Sequence, residues 1–378
     1  MAEEPWDVLI RGGTFVDGTG APRRDGIDVA IRGGLIAAIG PGLDAARADE
    51  VIEASGCVVA PGFIDVHTHD DNSLLDNPGM VYKTSQGVTT VVAGNCGISL
   101  APFTPPSDGG EVIPPLNLLG QRYEHPTVRS LFDAMDAAPA AVNAVCLCGH
   151  TTLRIGVMGP ACLDRAATPA ELGKMQTLLS EALDAGAIGL STGLAYGSAI
   201  SSSTEEVIAL AKLLAPANAI YTTHLRDESG EIFDAMDEAF RIGQEAAVPV
   251  VLSHHKVTGK DFWGSTVETL RRVDAARAKQ PVALDVYPYD ASSTVLKMEA
   301  VNRAERVTIT WSEAMPSAAG RDLFDLHRTC PCFSSSCSVA ETAAKLQPAG
   351  AVYFAMDEDD VRHLMFTCRE ILLLALLL

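Results

Sequence analysis

The chain has 378 residues, 47% of them hydrophobic, 6% aromatic and 20% charged, which is enough apolar material for a large core and excludes a disordered tail or a disulfide-stapled miniprotein. Its 28 lysines and arginines against 48 aspartates and glutamates leave a formal net charge of −20, which repels phosphate backbones and anionic lipid surfaces. Nucleic acid and membrane are therefore not expected partners, and the length suits one large α/β barrel with a smaller attachment, or two to three domains.

The N-terminus, MAEEPWDVLIRGG, places acidic residues before its first apolar run, unlike a signal peptide. No apolar run approaches the ~18 residues of a membrane span, and the terminal ILLLALLL is short. Nine scattered cysteines, an odd number, suit a reducing compartment, so a cytoplasmic location is expected. Residues 1–60 read as short alternating strands with glycine turns: DVLIRGGTFVDGTG, DGIDVAIRGGLIAAIG and DEVIEASGCVVAPG. That pattern predicts a small β domain without helices.

After Pro61 the texture changes, and apolar runs of strand length alternate with helical stretches such as PAELGKMQTLLSEALDAG. Seven runs stand out: VVAPGFIDVHTH (58–69), VTTVVAGNC (88–96), AVNAVCLCGH (141–150), AIGLSTGL (187–194), AIYTTHL (219–225), PVVLSHHK (249–256) and PVALDVYPY (281–289). A (β/α)₈ barrel spends about 31 residues per unit. His69 to Cys96 is 27 residues, His224 to His254 is 30, and His254 to Tyr287 is 33. Each run begins apolar and ends in chemistry, and in a parallel barrel the carboxyl ends of the strands converge on one face. His67 and His69, two apart on a strand, point to the same side; Cys96, His224 and His254 are of zinc-ligand type. Five such groups at barrel pitch predict a metal site across residues 61–290.

The motifs PGFIDVHTHDD, GVTTVVAGNCGIS, AIGLSTGLAY, THLRDES and LSHHK together resemble the amidohydrolase superfamily, and within it the N-acyl-D-amino-acid deacylases, over about residues 5–325. The resemblance implies a metal-dependent (β/α)₈ barrel with a small N-terminal β-sandwich. It implies a tightly held zinc on Cys96, His224 and His254, with Cys96 in place of the superfamily's usual carboxylated Lys or Glu bridge, and a second, weaker position involving His67 and His69. Lys256 and Tyr287 match positions near the substrate carboxylate, and Arg226 lies in a segment close to the metal. The implied activity is hydrolysis of the amide of a small N-acyl-D-amino acid; a cyclic-amide hydrolase is disfavoured by Cys96 and THLRDES. The GLSTGLAY run reads mainly as close packing around glycines.

One element of the resemblance is not found. The family's proton carrier is an Asp at the end of the eighth strand, within Gly-Ser-Asp-Gly. Here residues 291–356 fit an insertion between strands seven and eight, and 357–378 then read as an atypical C-terminus ending MFTCREILLLALLL. Asp322 sits at a helix start, and Asp357, Asp359 and Asp360 read as an exposed helix. FTCREILLLALLL offers an eighth strand without an acid, as a truncated or frame-shifted homologue would. The expected consequence is a chain that binds zinc with slow turnover and low stability. A second zinc site from Cys330, Cys332, Cys337 and Cys368 is disfavoured by the Cys-Pro-Cys spacing.

Overall fold

The computed structural model describes residues 4–105, 112–120, 122–330, 337–367 and 371–373. Its contacts separate a unit Met1–Phe63 from a unit Ile64–Leu378, close to the boundary expected at residue 60. In the first unit, β1 (Trp6–Phe15) pairs antiparallel with β2 (Arg24–Arg32), which pairs with β3 (Leu35–Gly40). The other edge of β1 is shared by two parallel partners, β4 (Ala48–Glu53) against its first half and β5 (Val58–Val59) against its end. The division falls at Gly12 and Gly13, where the β1–β2 register shifts; Gly12 takes φ +70°, and its N–H donates to the buried Asp28 carboxylate at 2.7 Å. Two small apolar clusters follow, Trp6/Leu9/Ala30 and Phe15/Ile27/Val29.

Among the described residues this unit forms a single five-stranded sheet. Alternation at period two specifies an apolar face and says nothing of what covers it. On β3, Leu35 and Ile36 remain exposed.

The second unit follows barrel order. A three-stranded sheet runs β6 (Phe63–Asp65), β7 (Val88–Ala93), β8 (Asn143–Cys146). A six-stranded parallel sheet runs β9 (Cys148–Gly149), β10 (Gly189–Gly193), β11 (Ile220–His224), β12 (Val250–Leu252), β13 (Val282–Val286) and a last strand, Ile371–Leu373. Only Leu147 separates β8 from β9; its N–H bonds Ala93 O at 2.9 Å while Ile188 N bonds Cys146 O at 2.9 Å, so the sheets continue into each other. The doubtful eighth strand is therefore present: Ile371 to Leu373 lie in parallel register with Leu284 to Val286. Backbone pairing needs no particular side chain, which is why an aliphatic tail fills this slot. No pairing of that strand with β6 occurs among the described residues.

Helices pack outside the strands. Ile232–Ala246 buries Ile232, Ala235, Met236, Ala239, Ile242, Gly243 and Ala246, the i, i+3, i+4, i+7 stripe that faces a core. Pro169–Ala185 opens on a capping box, Thr168 accepting from Glu171 N and Glu171 answering to Thr168 N. No helix among the described residues is long and apolar enough to cross a membrane.

Residues 291–356 form a lobe with its own core. The strands β14 (Ala291–Val295), β15 (Arg306–Ser312) and β16 (Ala349–Phe354) pair antiparallel in the order β14-β16-β15, and the last barrel strand, Ile371–Leu373, becomes β17. Leu296, Val307, Ile309, Leu323, Leu346 and Tyr353 pack under this sheet. Asp322 caps the helix Leu323–Thr329, as its setting suggested. The helix Glu358–Thr367 is not wholly exposed: Asp360 is buried and accepts from Gly264 N at 2.8 Å and from Thr266 Oγ1. A carboxylate in a charged run thus ties down the residues that lead into the neighbouring helix Thr266–Arg277, a long-range pairing that a local pattern does not reveal. Of the cysteines weighed as a second zinc site, Cys332 and Cys368 lie outside the described residues.

Candidate metal centre

Strand exits supply the donors. β6 leads into His67, which is buried beside the Thr68 N–H that bonds Val92 O at 3.0 Å. β7 leads to Cys96, whose backbone takes φ +53°, and β12 leads to His254, at φ +37°. Left-handed backbone at non-glycine residues costs about 1–3 kcal/mol and persists where the surroundings fix it. At Cys96 the fixing comes from glycines: a Cβ on Gly193 of β10 would lie 2.2 Å from Cys96 O, and one on Gly149 would lie 2.4 Å from Gly97 O. Ser191 adds a tie, accepting from Gly97 N at 3.0 Å and donating to Gly94 O at 2.5 Å. The GLSTGLAY run therefore does the close packing expected of it.

The structure brings most of the expected ligands together. His67 Nε2 lies 3.1 Å from Cys96 Sγ, and His254 Nε2 lies 3.3 Å from the same sulfur. A second group, His224, Glu228 and His254, also has ligand atoms within 4.8 Å of one another, so His254 belongs to both. His224 meets the His254 ring edge-on at 4.4 Å between centroids. His69 stands in neither group; its ring packs edge-on to His67 at 5.7 Å, and burial pulls its pKa down to about 3.

Two carboxylates behind the donors escaped the sequence reading. Asp285, in the middle of β13, accepts from His254 N at 2.5 Å and lies 3.3 Å from His67 Nδ1. Burial works against a charge on His67, but the Cys96 sulfur and the Asp285 carboxylate raise its pKa to about 10. Glu228 receives Lys256 Nζ at 2.7 Å and lies 3.1 Å from His254 Nδ1. Burial would raise its pKa, yet the Lys256 ammonium and the two histidines hold it well below the carboxylate range. The two available signals were an acid inside an apolar strand, VALDV, and an acid four residues after His224.

A metal fits this donor set. Each imidazole Nε2 stands 3.1 or 3.3 Å from the thiol sulfur, and all three ligand atoms lie within 4.8 Å of one another, compatible with edges of about 3.3–3.8 Å in a tetrahedron with zinc-type bonds. Soft sulfur with imidazole favours zinc. The charge that draws a proton to His67 would equally draw a cation.

The donors lie in a cavity of about 750 Å³, which also takes in Arg226, Lys256, Tyr287 and, from the inserted lobe, Lys297. Arg226 is committed: Nε and Nη2 bind Glu238 at 2.9 and 2.8 Å, and Nη1 and Nη2 bind Ile200 O and Ser202 O at 2.8 and 3.2 Å. Lys256 spends its three donors on Glu228 Oε1, His254 Nδ1 and His254 O at 2.7, 2.7 and 2.8 Å. The Tyr287 hydroxyl is buried and has no hydrogen-bond partner among the described residues.

Comparison with known proteins agrees with this geometry. Residues 50–257 match the amidohydrolase family. The D-aminoacylase of Alcaligenes xylosoxydans xylosoxydans is 48% identical over 96% of this chain and 72% of its own length. The chain belongs to the amidohydrolase family, in its D-aminoacylase branch. The N-acyl-D-aspartate deacylase of the same organism is 46% identical over 95% of this chain and 70% of its own. Among solved structures, an N-acyl-D-glutamate deacylase from Bordetella bronchiseptica with zinc and a phosphonate inhibitor superposes at a TM-score of 0.91, with 41% identity, covering 98% of this chain and 76% of that one. A D-aminoacylase crystal structure superposes at 0.89 with 47% identity and the same coverage. This amidohydrolase therefore carries the family barrel through its eighth strand.

Proposed function

We propose that this amidohydrolase hydrolyses the amide of N-acyl-D-amino acids, releasing a carboxylate and the free D-amino acid. The observation that carries the reading is the convergence of Cys96, His67 and His254 within 3.3 Å on the cavity floor. Identity of 42–48% to three deacylases of N-acyl-D-amino acids supports the substrate class. Cys96, His67 and His254, gathered in one group, would hold one zinc tightly, and His224 with Glu228 would share His254 in a second, weaker position, whereas the expected set of Cys96 with His224 is not gathered and His69 stands apart. A zinc so held supplies a hydroxide near neutral pH and polarises the scissile carbonyl.

The rest is work for the chain's own groups. Asp285 orients His67 through Nδ1 and pins the His254 backbone, so both rings present Nε2 to the sulfur. Glu228 holds Lys256 against His254 Nδ1 and fixes that ring's rotation. Tyr287 keeps an unpartnered hydroxyl as a donor for a substrate oxygen. A cytoplasmic location is supported by the free thiols at Cys57, Cys96, Cys146, Cys148, Cys162 and Cys337.

One experiment tests this reading: zinc content and kcat of the purified chain on a panel of N-acetyl-D- and N-acetyl-L-amino acids. Stoichiometric zinc with D-selective turnover supports the deacylase; zinc with negligible turnover, or absence of zinc, defeats it.

A further inference from the structure

The cavity has four cationic side chains on its walls, Arg226, Lys256, Lys297 and Arg303, in a protein of net charge −20. Three are already engaged. Arg226 is clamped to Glu238, Lys256 gives all three donors to Glu228 and His254, and Arg303 pairs with Asp227 at 3.2 Å. Lys297 differs. Its ammonium has no carboxylate at ion-pair distance among the described residues; its recorded contact is the face of Tyr196, 5.7 Å from the ring centroid. Tyr196 in turn packs on the His224 ring at 5.1 Å, so Lys297 stands one aromatic ring away from the metal centre.

Its position is built. Lys297 N donates to the Tyr353 hydroxyl at 2.8 Å, and that hydroxyl donates to Val295 O at 2.8 Å, tying the end of β14 to β16 beneath it. Tyr353 is 1% exposed in the core of the lobe. The backbone is thus held rigidly while the side chain reaches into the cavity. An ammonium held in a cavity wall with no carboxylate in ion-pair contact loses hydration for little return; burial lowers the Lys297 pKa, with Glu228 and Glu299 opposing it only from a distance and Arg303 and Lys256 adding to it. Such an arrangement gains when an anion arrives, since hydrogen bonds between ionised groups are roughly twice as strong as neutral ones.

We propose that Lys297 is a substrate-binding residue that holds a carboxylate of the N-acyl-amino acid from the inserted-lobe side of the cavity. The proposal rests on the deacylase reading for its ligand. The α-carboxylate and an acidic side chain are both sources of that carboxylate, and matched compounds tell them apart.

The test compares the zinc-loaded chain with Lys297→Met and Lys297→Arg on two pairs: N-acetyl-D-methionine with its α-carboxamide, and N-acetyl-D-glutamate with N-acetyl-D-glutamine. The readouts are KM, kcat and the thermal shift at fixed ligand concentration, which needs no turnover. With an α-carboxylate contact, Lys297→Met raises KM for every free acid about 10- to 100-fold. The carboxamide is then unchanged and kcat moves little. With a side-chain contact only N-acetyl-D-glutamate loses affinity. Lys297→Arg restores most of it in either case. Equal losses on acid and amide in both pairs, or no loss in any, overturns the proposal. If the parent chain turns over none of the four compounds, the deacylase reading fails, and the thermal shifts of acid against amide still decide whether Lys297 binds a carboxylate.

Discussion

The two sides of the cavity are held by different means. On the barrel side, polar groups are locked against one another: His67 to Asp285, His254 to Asp285 and Lys256, Lys256 to Glu228. On the lobe side the support is an apolar core under β14, β15 and β16; of its two cavity-lining cations Arg303 pairs with Asp227, while Lys297 has no carboxylate at ion-pair distance among the described residues. The barrel side holds the metal donors in place and offers the Tyr287 hydroxyl, and the lobe side offers the Lys297 ammonium. Changes on the first should therefore remove metal and chemistry, and changes on the second should alter affinity and selectivity.

The sharpest way to break this contrast is at the shared sulfur. Cys96→Ala removes the atom that both His67 and His254 approach within 3.3 Å. Zinc content should fall to near zero and turnover by more than about 100-fold. Metal analysis that found the parent's stoichiometry in the variant would remove Cys96 from the ligand set.

Next in size is a change that reaches the cavity through buried charge. Glu206 accepts from His150 Nε2 at 3.0 Å, from Arg154 Nη1 at 2.5 Å and from Ala167 N at 2.8 Å. Arg154, fully buried, also holds Cys162 O and Ser198 O, next to the cavity residues Leu163 and Gly197. Glu206→Gln would leave a buried guanidinium without its countercharge, a loss of about 3–5 kcal/mol measured by denaturant unfolding. The pH dependence has a definite sign. Burial opposes the charge, but His150 and the other donors lower the Glu206 pKa from 4.5 to about 2. Its contribution is present above pH 4.5 and is lost as pH falls towards 2, so the parent should show an acid slope in that window that the variant lacks.

How much of this was legible differs along the same line. The barrel, its seven apolar strands and the residues His67, Cys96, His224 and His254 could be read because each polar group ends an apolar run, a local pattern repeating at the pitch of the fold. Asp285 and Glu228 could not, because what makes them matter is a partner far away: Asp285 meets His67 across 218 residues. Lys297 was hidden for the opposite reason. Its distinction is that no carboxylate reaches ion-pair distance among the described residues, and only the packed fold shows that Arg226 and Lys256 are engaged in such contacts while it is not. The strands of the first unit were legible as alternating runs, while the sharing of one edge of β1 by β4 and β5 was not, since alternation describes a face and not its partners.

Asp285→Asn separates support from ligation. It keeps the side-chain volume and an acceptor for His254 N while removing the charge facing His67 Nδ1. Loss of such a carboxylate behind a ligating histidine typically weakens metal affinity 10- to 100-fold. Competition with a chelator should show that drop, while excess zinc restores occupancy. If the variant binds zinc as tightly as the parent, the barrel side does not depend on the charge behind His67.

The smallest expected effect concerns the backbone that carries the sulfur. Gly193 is buried in β10, and a Cβ there would fall 2.2 Å from Cys96 O and 2.6 Å from the Tyr196 ring. The ring can swing away, but the carbonyl belongs to a residue already held at φ +53°. Gly193→Ala must then push the Cys96 peptide outward, at a cost of about 1–3 kcal/mol in stability. A push at the Cys96 carbonyl also moves Sγ relative to His67 and His254, so zinc affinity should fall together with the melting temperature. Gly173→Ala is the matched control, since nothing lies within 4 Å of the added carbon on that helix and alanine is the better helix former there. If Gly193→Ala lowers stability and leaves zinc affinity at the parent value, the ligand geometry at Cys96 is independent of β10, and the close approach of the two strands serves packing alone.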